Sequence, residues 1–422
     1  MIRTALPPAP SLGRAPLHAV QVLGGGPGAR GGGAPGAETL AHVRSLSGGL
    51  VARGVRVTVC GAGDPDLARV FTEVGAGFAP AADRAEPDAA TGLRELCADA
   101  DVVHAHGLHA GMLAALALGR RRRRIPLVVT WHTPLPPGAD AGAGTERAGE
   151  PAGAVLPRAL LARLLRRRVA RAAAVVLGVT TDLVDAARRS GARDARLAPV
   201  AVPGPCAAGH DDASPSGPEP PDGASGPEGD GREAARHKVR AELGATGRPL
   251  LLSVGRLDGH QGYDTALTAS RAWRDLDPQP LLAIAGEGPE RAALQRRIDA
   301  EELPVRLLGR RDDALWLLAG ADLALLPVRW ESRSVLAQEA LRRGVPLVAT
   351  AVGGLPELVG DAAELVPYAD GDALAAAVRG LLRDPARRAA LAAAGRVRAA
   401  SWPTEHDTVA HVLAVYDELT SR

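Results

Sequence analysis

The chain has 422 residues, of which 46% are apolar, 23% charged and only 2% aromatic, a globular composition too long for one ordinary core and suited to two domains resting on Ala, Leu and Val. Cys60, Cys97 and Cys206 are odd in number and widely spaced, which fits neither a zinc nor a disulfide framework and points to a reducing cytoplasm. The net charge of +2 hides an asymmetry, because residues 1–200 carry 25 Arg against 16 acids while residues 201–422 carry 25 Lys plus Arg against 32 acids.

The opening MIRTALPPAPSLGRAP is broken by proline and lacks the apolar run of a signal peptide. HAVQVLG (18–24), VRVTVC (55–60), DVVHAH (101–106), PLVVTW (126–131) and AVVLGV (174–179) read as buried strands, with helical stretches at 38–54 and 111–119 between them. Such alternation predicts a parallel sheet covered on both faces. The glycine-rich GGGPGARGGGAPG (24–36) follows the first strand. It reads equally as a low-complexity turn or as a loop whose Gly24 and Gly25 approach a phosphate group. Asp64 and Asp66 form a D-x-D that falls in a glycine loop and reads as a turn. His104, His106, His109 and His132 gather at the ends of the third and fourth strands. No carboxylate or Cys stands at matching ligand spacing, so no metal site is expected.

Arg120–Arg124 form a basic run, and Arg163, Arg166, Arg167, Arg168 and Arg171 crowd one predicted helix. These read as a solvated face or as a face that approaches anionic lipid or a phosphorylated acceptor. No aromatic side chains interleave with the arginines, which argues against nucleic acid. The apolar run GMLAALALG has nine residues, far short of the ~20 of a membrane span, so a soluble protein is expected. Residues 203–236 are Pro, Gly, Ser and acid with almost no large apolar side chain. They read as a disordered linker, and 135–154 as a second soft loop.

The alternation restarts with PLLLSV (249–254), LLAIAG (281–286), VRLLG (305–309), ADLALLPV (321–328), PLVAT (346–350) and AELVP (363–367). The expected organisation is therefore α/β in two doubly wound domains, 1–202 and 237–400, joined by 203–236. In open parallel sheets ligands bind beyond the carboxyl ends of the strands. Three segments follow those ends, namely GRLDGHQGYD (255–264), GEGPERAAL (286–294) and WESRSVLAQEALRRGVPLVATAVGGLPELVG (330–360). The last predicts a helix from about Ser334, whose free N–H groups at Arg333, Ser334 and Val335 would form an anion site. Arg256 could hold diphosphate oxygens bidentately.

With HAHG, TWHTP and the closing SWPTEHDTVAHVLAVYDEL, this ordered set of GRL, GEGPE, E-x(7)-E and GGLPE resembles the retaining glycosyltransferases of family 4. The resemblance covers nearly the whole chain outside the linker and implies the GT-B fold, two facing Rossmann-like domains. It implies transfer of a sugar from a nucleotide diphosphate sugar to an acceptor hydroxyl, with no tightly bound cofactor and no metal. By resemblance Glu331 meets the sugar or the charge developing at its anomeric carbon, and Glu339 the ribose. His106 lies between donor and acceptor, His132 shapes the acceptor side, and residues 401–422 cross back to the first domain. The family usually has Lys five residues after the Arg of GRL, where this chain has Gln261, which can donate a hydrogen bond but offers a phosphate no charge. A non-catalytic sugar-nucleotide-binding protein and a sugar-nucleotide epimerase remain open as alternatives. The expected acceptor is a glycan, small molecule or lipid-linked group, and the expected location is cytoplasmic, with peripheral contact at the inner membrane face through the basic domain.

Overall fold

A computed structural model describes residues 16–24, 37–80, 87–119, 125–133, 152–198, 200–201 and 228–421. The chain runs β1 (His18–Leu23), α1 (Ala37–Val51), β2 (Arg56–Gly61), α2 (Pro65–Thr72), β3 (Gly77–Pro80), α3 (Pro87–Leu96), β4 (Val102–His106), α4 (Leu108–Leu118), β5 (Leu127–Trp131), α5 (Ala152–Ala172), β6 (Val175–Gly178), α6 (Thr181–Arg189) and β7 (Ala195–Leu197). It continues with α7 (Glu228–Glu242), β8 (Leu250–Val254), α8 (Tyr263–Ser270), β9 (Leu281–Ala285), α9 (Arg291–Glu301), β10 (Val305–Gly309), β11 (Leu323–Leu326) and α10 (Val335–Arg343). The last elements are β12 (Leu347–Thr350), α11 (Leu355–Val359), β13 (Glu364–Val366), α12 (Gly371–Arg383), α13 (Pro385–Ala400) and α14 (Glu405–Thr420). Two compact units result, one within 1–179, 183–205 and 403–422 and the other within 180–182 and 206–402.

The first unit is a parallel sheet in the order β3-β2-β1-β4-β5-β6-β7. Strands β1, β4, β5 and β6 are buried along their whole length, which is why their sequences are mostly apolar, the buried polar exceptions being His18, Gln21, His104, His106 and Thr130. The edge strands β3 and β7 lie outside the sequence expectation. Both are short and carry half-buried or exposed side chains, so neither has the apolar run that marks an inner strand. The D-x-D at Asp64 is a helix cap, its carboxylate accepting the Asp66 N–H at 3.0 Å. Helix α14 starts in a reciprocal capping box between Thr404 and Asp407. It buries Val409, Val412, Val415 and Tyr416, and Val409 lies so close over Gly49 of α1 that a Cβ there would overlap it.

The second unit has the order β10-β9-β8-β11-β12-β13, again all parallel. Its strands alternate between two cores, as side chains on a pleated strand must. Leu250 and Leu252 of β8 enter one cluster with Ala324 and Leu326, while Leu251 enters the other with Leu323 and Leu325. A sheet buried on both faces in this way is the doubly wound arrangement the apolar runs imply.

One expectation is corrected. Residues 228–236, read as the end of a disordered linker, belong to helix α7. The composition there is polar, but the helix is anchored further on by Val239 and Leu243, both in the core. Arg236 and Arg240 add pairs to Asp322 at 2.6 and 2.8 Å, and Asp322 also accepts the Leu250 N–H. The rest of that segment, 203–227, lies outside the described residues, as do most of the loop 135–154 and the run Arg120–Arg124.

Backbone contact at Gly262 offers a test. Its φ is +68° and a Cβ there would overlap the Pro327 carbonyl, whereas Gly247, φ +76°, faces open space. Gly262→Ala should destabilise by ~3 kcal/mol or more and Gly247→Ala by only ~1 kcal/mol of backbone strain. Urea unfolding compares them, and equal losses would show that the Gly262–Pro327 packing is not what holds the loop.

Candidate functional site

In the second unit the strand order reverses between β8 and β11, the crevice where open sheets bind ligands. The loops around it are held main chain to main chain. Gly255 N–H donates to Ala285 O at 3.0 Å, Leu257 N–H to Glu287 O at 3.0 Å, and Arg329 N–H to His260 O at 2.8 Å. Gly354 N–H donates to Glu331 O at 2.9 Å, so the GGLPE turn backs the 330–334 loop. Only glycine allows this approach, because a Cβ on Gly353 would overlap Glu331 O and would sit 2.7 Å from Trp330 Nε1.

Helix α10 begins as the sequence predicts. Ser334 is its N-cap, and its Oγ accepts the Ala337 N–H at 3.3 Å, leaving the preceding N–H groups directed out of the helix end. Arg333 is half-buried, its Nε has no hydrogen-bond partner among the described residues, and burial lowers its pKa from the usual value. Glu331 is half-buried and accepts the Ser332 N–H at 2.9 Å. Burial raises its pKa, against the opposing pull of that hydrogen bond. Glu339 is only 5% exposed and is held by Arg342 at 2.9 Å and Arg343 at 3.3 Å. It is therefore a buried, paired carboxylate rather than a surface one. The loop after β8 carries Arg256 and Gln261. Arg256 is 73% exposed, with Asp258 at 3.6 Å, and Gln261 is half-buried with its Oε1 against Gly255.

In the first unit the reversal lies between β1 and β4. Gly24 ends β1 against the start of α4, where a Cβ would stand 2.9 Å from Ala110 N, while Gly25 lies outside the described residues. His104 and His106 share one face of β4, as strand alternation requires, and stack at 4.4 Å between centroids. A hydrogen-bonded chain fixes both rings. Gln21 Nε2 donates to Tyr416 Oη at 2.8 Å, and the Tyr416 hydroxyl then donates to His104 Nδ1 at 2.7 Å. His104 Nε2 accordingly donates to Thr130 Oγ1 at 2.7 Å. Gln21 Oε1 accepts from His106 Nε2 at 2.7 Å, leaving the lone pair of His106 Nδ1 facing His132 Nε2 at 3.3 Å. Burial drives His42 down to about 4 and His104 to about 3, and holds His106 and His132 well below the imidazole range. All four are neutral at pH 7.

Sequence reasoning missed Gln21, His42 and Tyr416. Gln21 had a signal, a lone amide inside the apolar run HAVQVL. His42 and Tyr416 sit on helices remote in sequence from β4 and had none.

Residues 39–203 match the model of the glycosyl transferase 4-like domain, and residues 235–398 that of the glycosyl transferases group 1. The chain belongs to the group 1 glycosyl transferases of the family 4 type. It is 38% identical over 191 residues to a glycogen synthase of Mycobacterium tuberculosis, a match spanning 43% of this chain and 46% of that one. It is 33% identical over 207 residues to the GDP-mannose-dependent alpha-(1-6)-phosphatidylinositol monomannoside mannosyltransferase of Mycolicibacterium smegmatis, covering 43% and 51% of the two chains. The matched segments thus span about half the length of these relatives. Among solved structures, Anabaena HepE in complex with UDP superposes with a TM-score of 0.70 at 17% identity, over 95% of this chain and 100% of that one. Sucrose-phosphate synthase of Thermosynechococcus elongatus gives 0.68 at 21% identity, over 96% and 99%. The fold is GT-B.

The buried amide–phenol–imidazole chain is open to test. Tyr416→Phe leaves Gln21 Nε2 and His104 Nδ1 without their partner and should cost ~1–3 kcal/mol, against less than ~0.5 kcal/mol for the exposed Tyr368→Phe. Matching denaturation midpoints for the two variants would mean the chain contributes nothing to stability.

Proposed function

We propose that the protein transfers a sugar from a nucleotide diphosphate donor to an acceptor hydroxyl with retention at the anomeric carbon. The observation that carries this reading is the buried Nε of Arg333, without a hydrogen-bond partner among the described residues, at the capped N-terminus of α10. A guanidinium and outward N–H groups at one helix end suit a diphosphate, the leaving group of such a donor. In this reading the main chain at Arg333, Ser334 and Val335, with Arg256, Gln261, Gly24 and Gly25, holds the diphosphate. Glu339 accepts from ribose hydroxyls through lone pairs not used by Arg342 and Arg343. Glu331 meets the sugar where positive charge develops, His106 positions the sugar as a neutral ring, and His132 borders the acceptor.

The donor's diphosphate leaves and the acceptor attacks on the same face, and the departing phosphate oxygen takes the acceptor proton. The chain supplies preorganised charge and excludes water. No tightly bound cofactor is needed for that sequence. The domains in this reading are an acceptor side at 1–202 with 401–422 and a donor side at 237–400. Support for the donor class comes from relatives named as GDP-mannose-dependent and from HepE structures in complex with UDP and UDP-glucose. The phosphatidylinositol mannoside transferases among the relatives, together with exposed Leu160, Leu161 and Leu164 beside Arg163 and Arg168 on α5, favour a lipid-linked acceptor reached from the cytoplasmic membrane face. Among the described residues no helix is long and apolar enough to cross a membrane. A second reading, sugar-nucleotide binding without turnover, is favoured by Gln261, which offers the phosphate no charge.

A thermal-shift screen across nucleotide sugars tests the donor reading. One donor should raise Tm, Glu339→Ala should abolish the shift, and Gln261→Lys should tighten Kd about tenfold. If no nucleotide sugar shifts Tm, the proposal falls. With the donor identified, Glu331→Gln should keep binding and lower turnover by about 10²-fold or more. Binding without transfer or slow donor hydrolysis in the wild type would establish the second reading, and the anomer of the product, read by NMR, decides retention. Co-sedimentation with anionic vesicles, lost on reversing Arg163 and Arg168, tests the membrane contact.

A further inference from the structure

We propose that His42, His106 and His132 form a binding site for a divalent cation of the zinc class within the first unit. The three residues come from α1, the end of β4 and the residue after β5. One ligand nitrogen from each lies within 4.8 Å of the other two. One pair, His106 Nδ1 and His132 Nε2, is 3.3 Å apart. Two nitrogens bound to zinc at ~2.0–2.1 Å in a tetrahedron stand ~3.3–3.4 Å apart, so this pair already has the spacing of one tetrahedral edge. The three rings form a near-equilateral triangle, with centroids 5.8, 5.3 and 5.5 Å apart. Imidazoles radiating from one tetrahedral zinc have centroids ~5 Å apart, and the ligand nitrogens, all within 4.8 Å of one another, reach the tetrahedral edge by a contraction of at most ~1.5 Å.

The surroundings are those of a metal ligand rather than a stray ring. His106 donates its Nε2–H to Gln21 Oε1 at 2.7 Å, and Gln21 is in turn oriented by Tyr416 at 2.8 Å. This outer partner fixes the tautomer that directs the Nδ1 lone pair into the cluster. The competing account is a plain hydrogen bond from His132 Nε2 to His106 Nδ1. At 3.3 Å it is longer than the usual N–H contact and leaves the convergence of His42 without a role. An all-imidazole set selects zinc, cobalt, nickel or copper over magnesium or calcium, which require oxygen ligands. Three protein ligands leave a fourth position for water, and His132, half-buried, gives an entry path. Sequence spacing did not reveal the set because His42 stands 64 and 90 positions before its partners.

A corollary rests on the role given to His106 above. A cation on Nδ1 removes that nitrogen from the sugar, so zinc would inhibit transfer. Binding itself stands apart from that reading.

The experiment uses the full chain stripped with chelator. Titration with Co2+ alone should give the intense visible absorption of four-coordinate cobalt, and equilibrium dialysis should retain about one Zn2+ per chain. His42→Ala and His132→Ala should each weaken Zn2+ binding about tenfold or more, and Gln21→Leu by several-fold through lost orientation of His106. The surface variants His237→Ala and His406→Ala should leave it unchanged. Circular dichroism checks that each variant folds, and if the His42 or His132 variants do not, the wild-type cobalt spectrum decides alone. Absence of the four-coordinate band, or Zn2+ retention that survives His42→Ala with His132→Ala and falls with the surface histidines, overturns the site. Transfer unaffected by bound Zn2+ would remove only the corollary.

Discussion

All the strand pairings within both sheets are parallel, and this one constraint shapes most of the molecule. Each chain return must cross a sheet face as a helix or loop, and each strand ends at the same edge. Six strand ends in the second unit therefore deliver their loops to one rim, where main chain meets main chain. Hydrogen bonds between loops replace ladder bonds there, and side chains are excluded at the closest points. That is why Gly262, Gly286 and Gly288 each oppose a carbonyl oxygen that a Cβ would strike. The 330–334 loop inherits its rigidity from this packing, since the Gly353–Gly354 turn lies directly on its backbone.

The two rims hold different electrostatics. At the rim of the second unit the groups are ionic: Arg333, Glu331 and the Glu339–Arg342–Arg343 cluster. At the rim of the first they are neutral, four imidazoles kept from protonation by burial, with His104 and His106 tied through Tyr416 and Gln21. A buried polar network is tolerable only when its members are satisfied. The alternation of donors and acceptors from Gln21 through Tyr416 and His104 to Thr130 meets that condition with one consistent set of tautomers. Polar groups placed in this way orient without carrying net charge, whereas those on α10 attract it.

How much of the fold is legible in the sequence depends on the range of the interactions involved. Inner strands announce themselves because burial on both faces demands apolar residues at most positions, and the Ser334 cap is visible because capping acts over three residues. Edge strands β3 and β7 lack that demand and pass unseen. Helix α7 is only partly legible because its anchors, Val239 and Leu243, lie beyond the polar stretch that precedes them. The Gln21–Tyr416 bond joins residues 395 positions apart, and no local pattern encodes a contact of that kind. The constellation of Glu331, Arg333, Ser334 and Glu339 is legible because it is nearly contiguous, while the histidine cluster needs the fold to bring α1 to the ends of β4 and β5.

The pairing of Glu339 with Arg342 and Arg343 sharpens what its end of α10 can offer a ligand. A lone buried carboxylate would repel any phosphate that approached the same helix. With two guanidiniums one turn further along, at 2.9 and 3.3 Å, its charge is balanced while lone pairs remain to accept hydroxyl hydrogens. Among the described residues Arg333 has no such partner within hydrogen-bond reach of its Nε. Over one short helix, therefore, the anion-seeking group stands at the N-terminal end and the hydroxyl-accepting group one turn inside. In the donor reading proposed above that polarity follows the order phosphate then ribose, and it is set by which arginines the helix spacing allows to reach Glu339.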